Sequence, residues 1–305
     1  MGAPRQSHGD RLIRTEGSHQ NREGTQQVSK LSQAEVDAFH RDGFFAPVDV
    51  FSPEEARAWR ADLEAFERTL PSGPVSAGDR RKLHVRLPWA REIVEHPRLL
   101  DVMEQLLGPD ILVFTSTFFI KEPKTDAITA WHQDATFFGL SPYEHVTAWV
   151  ALSEASIEAG CMEFAPGSHR LGQLAHGQTA TPGTINAGAR SISEPLDISR
   201  AVFAPVKTGQ VSLHHTLVAH NSRPNRSDDR RIGFGISYIP ARVRHNGSKR
   251  MSAMLVRGID RYGHFDLEDD PRTLDADARA EAHKRAYGRY REGHAEQQAR
   301  HGVIA

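Results

Sequence analysis

The chain has 305 residues, of which 38% are apolar and 25% are charged, as in a globular protein that can bury a sizeable core. Its 38 Lys and Arg nearly balance its 39 Asp and Glu, so the net charge gives no reason to expect nucleic-acid or membrane binding. The single Cys161 excludes a disulfide framework and cysteine-rich metal sites, and the lack of a long apolar run or leader predicts a cytoplasmic protein.

The composition predicts a short tail followed by one domain. Residues 1–30 are poor in apolar side chains and rich in Gly, Ser, Gln and charge, which predicts a flexible tail. Residues 31–305 are predicted to form a single domain. It comprises a helical N-terminal part (31–110), a β-rich core (111–240) and a C-terminal extension with a polar helix (241–305).

In chain order, helix-start signals come first. Capping-box patterns begin at Ser32 and at Ser52, and His96-Pro97 opens a third helix. Short β-branched or aromatic runs follow, separated by Gly, Pro, Asn and Ser; they predict strands at 111–121, 145–152, 201–206, 210–214 and 233–238. Such strands favour a β-sandwich or barrel. The polar, Ala-rich segment 271–301 predicts a helix with a solvated charged face, on which His294 is expected to be solvated.

The run Trp131-His132-Gln133-Asp134 carries the first candidate metal ligands. Residues two apart in a strand share a face, so His132 and Asp134 are predicted to converge. An imidazole and a carboxylate are two members of a 2-His-1-carboxylate site, which leaves positions on Fe(II) open for a chelating cosubstrate and O2. Alone, His-x-Asp is a weak signal in a chain with 17 histidines.

A second stretch, His220 to Arg231, adds a histidine and a permanent cation. His220 follows a strand-like run, and Arg231 opens another after an Asn/Ser/Asp-rich turn, so the two could flank one cavity. A 2-oxo acid that chelates iron needs a cation for its far carboxylate, and Arg supplies a bidentate, charge-assisted pair.

Together, these motifs resemble the phytanoyl-CoA dioxygenase family, in particular its bacterial small-molecule branch of ectoine hydroxylases and related non-haem iron halogenases. The resemblance covers roughly residues 31–271. Its motifs are Trp131–Asp134, Trp149-Val150-Ala151-Leu152, Pro166-Gly167-Ser168-His169, and His220 with Ser222, Pro224, Asn225 and Arg231. It implies a mainly β fold with flanking α-helices, a double-stranded β-helix (a cupin-like jelly roll) over 111–240. It also implies Fe(II), the cosubstrate 2-oxoglutarate, and O2.

The resemblance also implies roles for individual residues. The matched positions are His132, Asp134 and His220 for the iron ligands, Arg231 for binding 2-oxoglutarate, and Gln133, Trp149 and Ser222 for contacting or enclosing it. Thr147 is added because it shares a strand face with Trp149. The related halogenases have a small residue in place of the carboxylate, so Asp134 favours hydroxylation.

The activity so implied is hydroxylation of an unactivated C–H bond of a small molecule, with release of succinate and CO2. Alternatives are halogenation or another oxidative outcome on the same scaffold, a non-catalytic cupin-like binding protein, and a zinc-dependent hydrolase. Arg231 argues against a mere metal binder, which needs no such cation.

Further candidates for substrate contact come from aromatic and basic side chains near these motifs. They are Phe119, Phe137, Phe138, His84, Arg86 and Arg242. The basic members are compatible with an anionic or zwitterionic substrate. The motifs leave the identity of the substrate and the oligomeric state open.

Overall fold

The computed structural model describes residues 30–71, 73–76, 79–178, 183–185 and 190–301. The predicted flexible tail therefore lies, except for Lys30, outside the described residues. The α-helices are α1 (Gln33–Asp42), α2 (Pro53–Arg68), α3 (Pro88–Val94), α4 (Pro97–Leu107), α5 (Ala135–Phe138) and α6 (Ala276–His301). Short 3-10 helices lie at Leu83–Val85, Ser168–Leu171 and Pro271–Thr273.

The strands form two main sheets. They are β1 (Phe44–Asp49), β2 (Ile111–Lys121), β3 (Thr129–His132), β4 (Leu140–Ser141), β5 (Val146–Ala151), β6 (Met162–Phe164), β7 (His176–Gln178), β8 (Arg190–Ile192), β9 (Val202–Ala204), β10 (Gln210–His215), β11 (His220–Ser222), β12 (Arg231–Pro240), β13 (Arg244–His245), β14 (Ser252–Arg257) and β15 (Asp266–Leu267). The major sheet has the order β1-β10-β5-β12-β2-β14-β15, and the minor sheet has the order β3-β11-β6-β9. The pairs β4–β13 and β7–β8 form small ribbons.

The predicted helix starts and strands are confirmed. Ser32 and Ser52 each form a complete capping box, and the His96 side chain accepts a hydrogen bond from a backbone N–H of α4. Each caps N–H groups that the first helical turn leaves without an intrahelical partner. The five predicted strands correspond to β2, β5, β9, β10 and β12, with small shifts at their ends.

The major sheet is wider than the predicted core at 111–240. It takes in β1 from the helical N-terminal part and β14 and β15 from the C-terminal extension. Because β1 contains a proline and has little apolar alternation, its pairing with β10 is decided by the tertiary fold rather than by its own sequence.

Period-2 alternation gives the major sheet two different faces. On β12, Ile232, Phe234 and Ile236 pack into the large core cluster with helices α2, α3 and α4. The odd-numbered residues of the strand face the opposite side, and the first of them, Arg231, lines a cavity. Within the described residues, no helix is long and apolar enough to cross a bilayer.

Candidate active site

A cavity lies between the inner face of the major sheet, the minor sheet and helix α6. It is lined by Thr147 and Trp149 of β5, His132 of β3, His220 of β11 and Tyr290 of α6, among others. The sequence-predicted metal ligands and the predicted cosubstrate residue Arg231 all line it. Residues that are 99 positions apart in the chain, 132 and 231, therefore face one enclosed volume.

The three predicted metal ligands come together in the lining of this cavity. His132 ends β3 and His220 begins β11, and the two are direct partners in the antiparallel pair, with ring centroids 4.1 Å apart. Each of the three residues offers one ligand atom within 4.8 Å of the others. Asp134, however, is not on the strand: β3 stops at His132, and Asp134 has helical dihedral angles as the N-cap of α5. Its convergence with His132 thus comes from a strand-to-helix turn, not from strand alternation.

Both histidines have the hydrogen bonds of a metal ligand. His132 Nδ1 donates to the Ala130 carbonyl at 2.9 Å, and His220 Nδ1 donates to the Val218 carbonyl at 3.1 Å. This arrangement leaves the Nε2 lone pair of each ring for a metal ion. Burial, above all other causes, lowers the pKa of His132 and of His220, so both rings are neutral at neutral pH.

Asp134 is held so that one carboxylate oxygen faces the histidines. Its Oδ2 accepts hydrogen bonds from Thr147 Oγ1 at 2.9 Å and His214 Nε2 at 3.2 Å. Its Oδ1 lies 3.8 Å from His132 Nε2 and 4.0 Å from His220 Nε2. Burial opposes ionisation of Asp134, but the His214 hydrogen bond and the surrounding imidazoles hold its pKa below the usual range. The geometry suits a one-oxygen ligand to a divalent cation. Thr147, which was predicted to contact the cosubstrate, lines the cavity and also donates this hydrogen bond to Asp134.

One end of the cavity is buried and positively charged. Arg231 is 2% exposed, and its Nη1 donates to the Gly160 carbonyl at 3.2 Å. Its buried Nε has no hydrogen-bond partner among the described residues, and its guanidinium lies 5.4 Å from the centre of the Trp149 ring. Burial lowers the pKa of Arg231 to about 10, which still leaves it charged at neutral pH. An unpaired N–H in a buried cation fits an anionic group.

Ser222 also lines this end, and Lys121 lies behind it. Lys121 is the cross-strand partner of Arg231, and its Nζ donates to Ser222 Oγ at 2.7 Å and to the Ser222 carbonyl at 3.0 Å. Burial and then the Arg231 charge lower the pKa of Lys121 to about 6. Sequence reasoning named Ser222 but missed Lys121, because a lysine at the end of a strand is usually solvated.

Gln133 does not line the cavity. Its amide nitrogen donates to the Gly172 and Leu217 carbonyls, and its amide oxygen accepts from Leu174 N and Gln173 Nε2. All four hydrogen-bonding positions of the amide are therefore used within the protein. The structure thus places Gln133, which was predicted to contact the cosubstrate, in hydrogen bonds that fix the loop before β7.

The three basic residues predicted to contact the substrate lie elsewhere. His84 is fully buried between Ser116 Oγ at 2.7 Å and Glu268 at 3.2 Å. Arg86 stacks over the Phe66 ring at 5.2 Å, and the exposed Arg242 pairs with Glu144. None of the three is among the described residues that line the cavity, since a basic run does not show which of its members faces inward.

The three predicted aromatic contacts do line the cavity. Phe119 faces it from β2, while its neighbour Phe118 stacks on Phe234 in the core, as alternation requires. Phe137 and Phe138 of α5 also line it, and the Phe137 ring lies 5.9 Å from the ring of the ligand His132. These three rings give the cavity an apolar part of its wall.

Helix α6 and residue Arg81 contribute lining residues that sequence reasoning missed. Tyr290 and His294 of α6 line the cavity, although His294 was expected to be solvated. Their inward orientation follows the spacing of Ala282, Ala286 and Tyr290, a buried i, i+4, i+8 row that was available in the sequence. Arg81 immediately precedes the basic run from which His84 and Arg86 were chosen, and it lines the cavity through a bridge to Thr117.

Comparison with known proteins agrees with this geometry. The family profile described as Phytanoyl-CoA dioxygenase (PhyH) matches residues 39–233. A probable alpha-ketoglutarate-dependent hypophosphite dioxygenase of Stutzerimonas stutzeri is 31% identical over 209 residues, 68% of this chain and 69% of that protein. The chain spans less of some other curated relatives, 61% of the length of two nematode proteins.

Solved structures resemble the chain over most of its length. The apo non-heme monooxygenase ThoJ superimposes with a TM-score of 0.78 at 32% identity, covering 87% of this chain and 99% of that one. CytC3 with Fe(II) and alpha-ketoglutarate gives a TM-score of 0.61 at 25% identity, covering 80% of this chain and 96% of that one. The predicted jelly-roll fold is thereby confirmed.

Proposed function

Because the chain belongs to the phytanoyl-CoA dioxygenase family, we propose that it is an Fe(II)- and 2-oxoglutarate-dependent dioxygenase that hydroxylates an unactivated C–H bond of a small molecule. The observation that carries the proposal is the meeting of two features in one cavity. The first is the cluster of His132, Asp134 and His220. The second is the buried guanidinium of Arg231, whose Nε has no hydrogen-bond partner among the described residues.

The residues present fit the two groups that this activity requires. Two neutral Nε2 atoms and one carboxylate oxygen form the donor set that non-haem Fe(II) oxygenases use. The Arg231 end fits the distal carboxylate of 2-oxoglutarate, with Trp149 and Ser222 beside it. When bound, Fe(II) and 2-oxoglutarate supply the oxidation by O2 that yields succinate, CO2 and a hydroxylated product.

The contribution of the chain is ligation, orientation and exclusion of water. The backbone carbonyls of Ala130 and Val218 set the two imidazole tautomers, and Thr147 and His214 fix the carboxylate. No side-chain general base is required by this chemistry. The phenyl rings of Phe119, Phe137 and Phe138 supply an apolar lining for the substrate.

Hydroxylation is proposed in preference to halogenation because Asp134 supplies the third protein ligand. A zinc-dependent hydrolase and a non-catalytic metal-binding protein could share the ligand cluster, but neither requires a buried arginine aimed into the same cavity. The single cysteine, Cys161, is buried and free, which is compatible with the predicted cytoplasmic location.

The test is an anaerobic titration of the Fe(II)-loaded protein with 2-oxoglutarate. Chelation of the keto acid is expected to produce a visible metal-to-ligand charge-transfer band, and admission of O2 is expected to release succinate. Asp134→Ala serves as the matched variant and is expected to show neither signal. If the wild-type protein retains iron and yet shows no band, the dioxygenase proposal is wrong.

A further inference from the structure

The described cavity lining contains two arginines, and they lie at opposite ends. Arg231 is opposite Lys121 at the end of β2, whereas Arg81 is bridged to Thr117 earlier in the same strand. Four residues along a strand correspond to about 13 Å. The proposed function assigns Arg231 to 2-oxoglutarate, and it leaves Arg81 without a role.

A row of rings leads from the metal site to Arg81. The Phe137 ring lies 5.9 Å from the His132 ring and stacks at 6.0 Å on the ring of His294. His294 stacks in turn on Tyr290 at 6.0 Å, and the Tyr290 phenol accepts a hydrogen bond from Arg81. An apolar or aromatic body lying on this row would have one end near the metal ligands and the other at the guanidinium.

The two polar rings beside Arg81 are neutral. Burial raises the pKa of Tyr290 to about 12, and burial lowers the pKa of His294 to about 4. Among the described lining residues, the one carboxylate is that of Asp134, which faces the two histidine ligands. The Arg81 guanidinium therefore brings a cationic group to this part of the cavity lining.

The backbone around Arg81 is fixed by buried contacts. The next residue, Lys82, is fully buried with its ammonium on Glu268, and His283 Nε2 of α6 donates to the Arg81 carbonyl at 2.9 Å. A guanidinium on a backbone held in this way is preorganised, which reduces the entropy lost when it binds a ligand.

We propose that Arg81 binds the anionic head group of an organic acid substrate, a carboxylate or phosphonate, whose apolar body lies along Phe137 and Phe119 toward the metal site. The inference rests on the proposed function and adds the substrate class to it. The planar guanidinium pairs with two oxygens of either head group. Tyr290 is the residue that orients it.

The test compares benzoate with benzamide, which has nearly the same shape and no charge, and with phenylphosphonate. Calorimetric titrations use the anaerobic Fe(II) protein saturated with 2-oxoglutarate. The titrations are repeated without 2-oxoglutarate on an Arg231→Gln variant. This second set tests anion binding by Arg81 even if the protein does not bind 2-oxoglutarate. Matched variants are Arg81→Gln, Arg81→Lys and, as a control, Arg57→Gln, whose exposed side chain pairs with Glu54 on α2.

We expect benzoate or phenylphosphonate to bind more tightly than benzamide, and we expect Arg81→Gln to lower the affinity for that anion by about tenfold or more. Arg81→Lys should be intermediate, and Arg57→Gln should match the wild type. The stronger of the two anions identifies the head group. Equal binding of benzoate and benzamide, no anion binding at millimolar concentration, or equal losses for anion and amide in Arg81→Gln would each overturn the proposal. An anion affinity unchanged in Arg81→Gln would place the anion on the metal and also overturn it.

Discussion

Replacing Arg231 by Gln removes the cation from the buried end of the cavity and leaves most of the side-chain volume. The guanidinium has little solvent contact, and it lies against the Trp149 ring with one N–H group unpaired among the described residues. A charge-assisted hydrogen bond contributes about 1.5–3 kcal/mol, and leaving one charge of a buried pair uncompensated costs about 3–5 kcal/mol. A loss of about 2–4 kcal/mol corresponds to about 30- to 700-fold weaker binding of 2-oxoglutarate.

The assay is succinate release as a function of 2-oxoglutarate concentration, together with the anaerobic charge-transfer titration. Arg231→Lys should lose less affinity for 2-oxoglutarate than Arg231→Gln, because lysine keeps the charge and loses only the bidentate geometry. Arg226→Gln is the control, since Arg226 lies on the loop that precedes β12 and has an exposed pairing with Asp126. Iron content should be unchanged in every variant. A half-saturating 2-oxoglutarate concentration that stays at the wild-type value in Arg231→Gln would refute the assignment.

Three further changes probe the ligands, the packing and the buried ion pair. Asp134→Ala should abolish succinate release and lower the bound-iron stoichiometry, and wild-type turnover would contradict the ligand set. Gly233→Ala places a Cβ 1.7 Å from the Trp149 ring and should lower the free energy of unfolding by about 1–3 kcal/mol, measured by thermal denaturation, and alter the tryptophan fluorescence. Gly288→Ala, whose Cβ would meet open space, should do neither. Burial opposes ionisation of Glu268, but its lysine partner holds its pKa at about 2. The contribution of Glu268 to stability should therefore be lost as pH drops from about 4.5 to 2, and Glu268→Gln should show a smaller fall in stability than the wild type over this range.

The local elements could be predicted because their signals are local. A serine followed three residues later by Glu predicts a helix start, and a β-branched run between turn residues predicts a strand. The prediction of α1, α2, β2 and β12 therefore needed no tertiary information. The ligand cluster could be predicted because its residues form ordered motifs. The predicted reason for its convergence was wrong in detail, since Asp134 lies at the N-cap position of α5 and is not on β3.

Which polar side chain faces the cavity could not be predicted, because that depends on pairings between distant segments. Arg81 points inward because it bridges Thr117, and His84, three residues later, points into a buried cluster with Glu268. A one-residue change in register exchanges the two faces of an extended segment, and the sequence of the segment does not state the register. The same holds for Lys121, whose burial follows from its pairing with Arg231.

The two cavity arginines lie in parts of the site that are built from different elements. The Arg231 end is built from β2, β11 and β12, inside the segment that matches the family, and its partners are strand residues fixed by ladder hydrogen bonds. The Arg81 end depends on Tyr290 and His294 of α6, which lie beyond the matched residues 39–233. A helix that packs through a few alanines and rings can change its inward side chains without disturbing any strand pairing. The end near α6 is therefore where substrate preference can vary while the metal and cosubstrate residues stay in place.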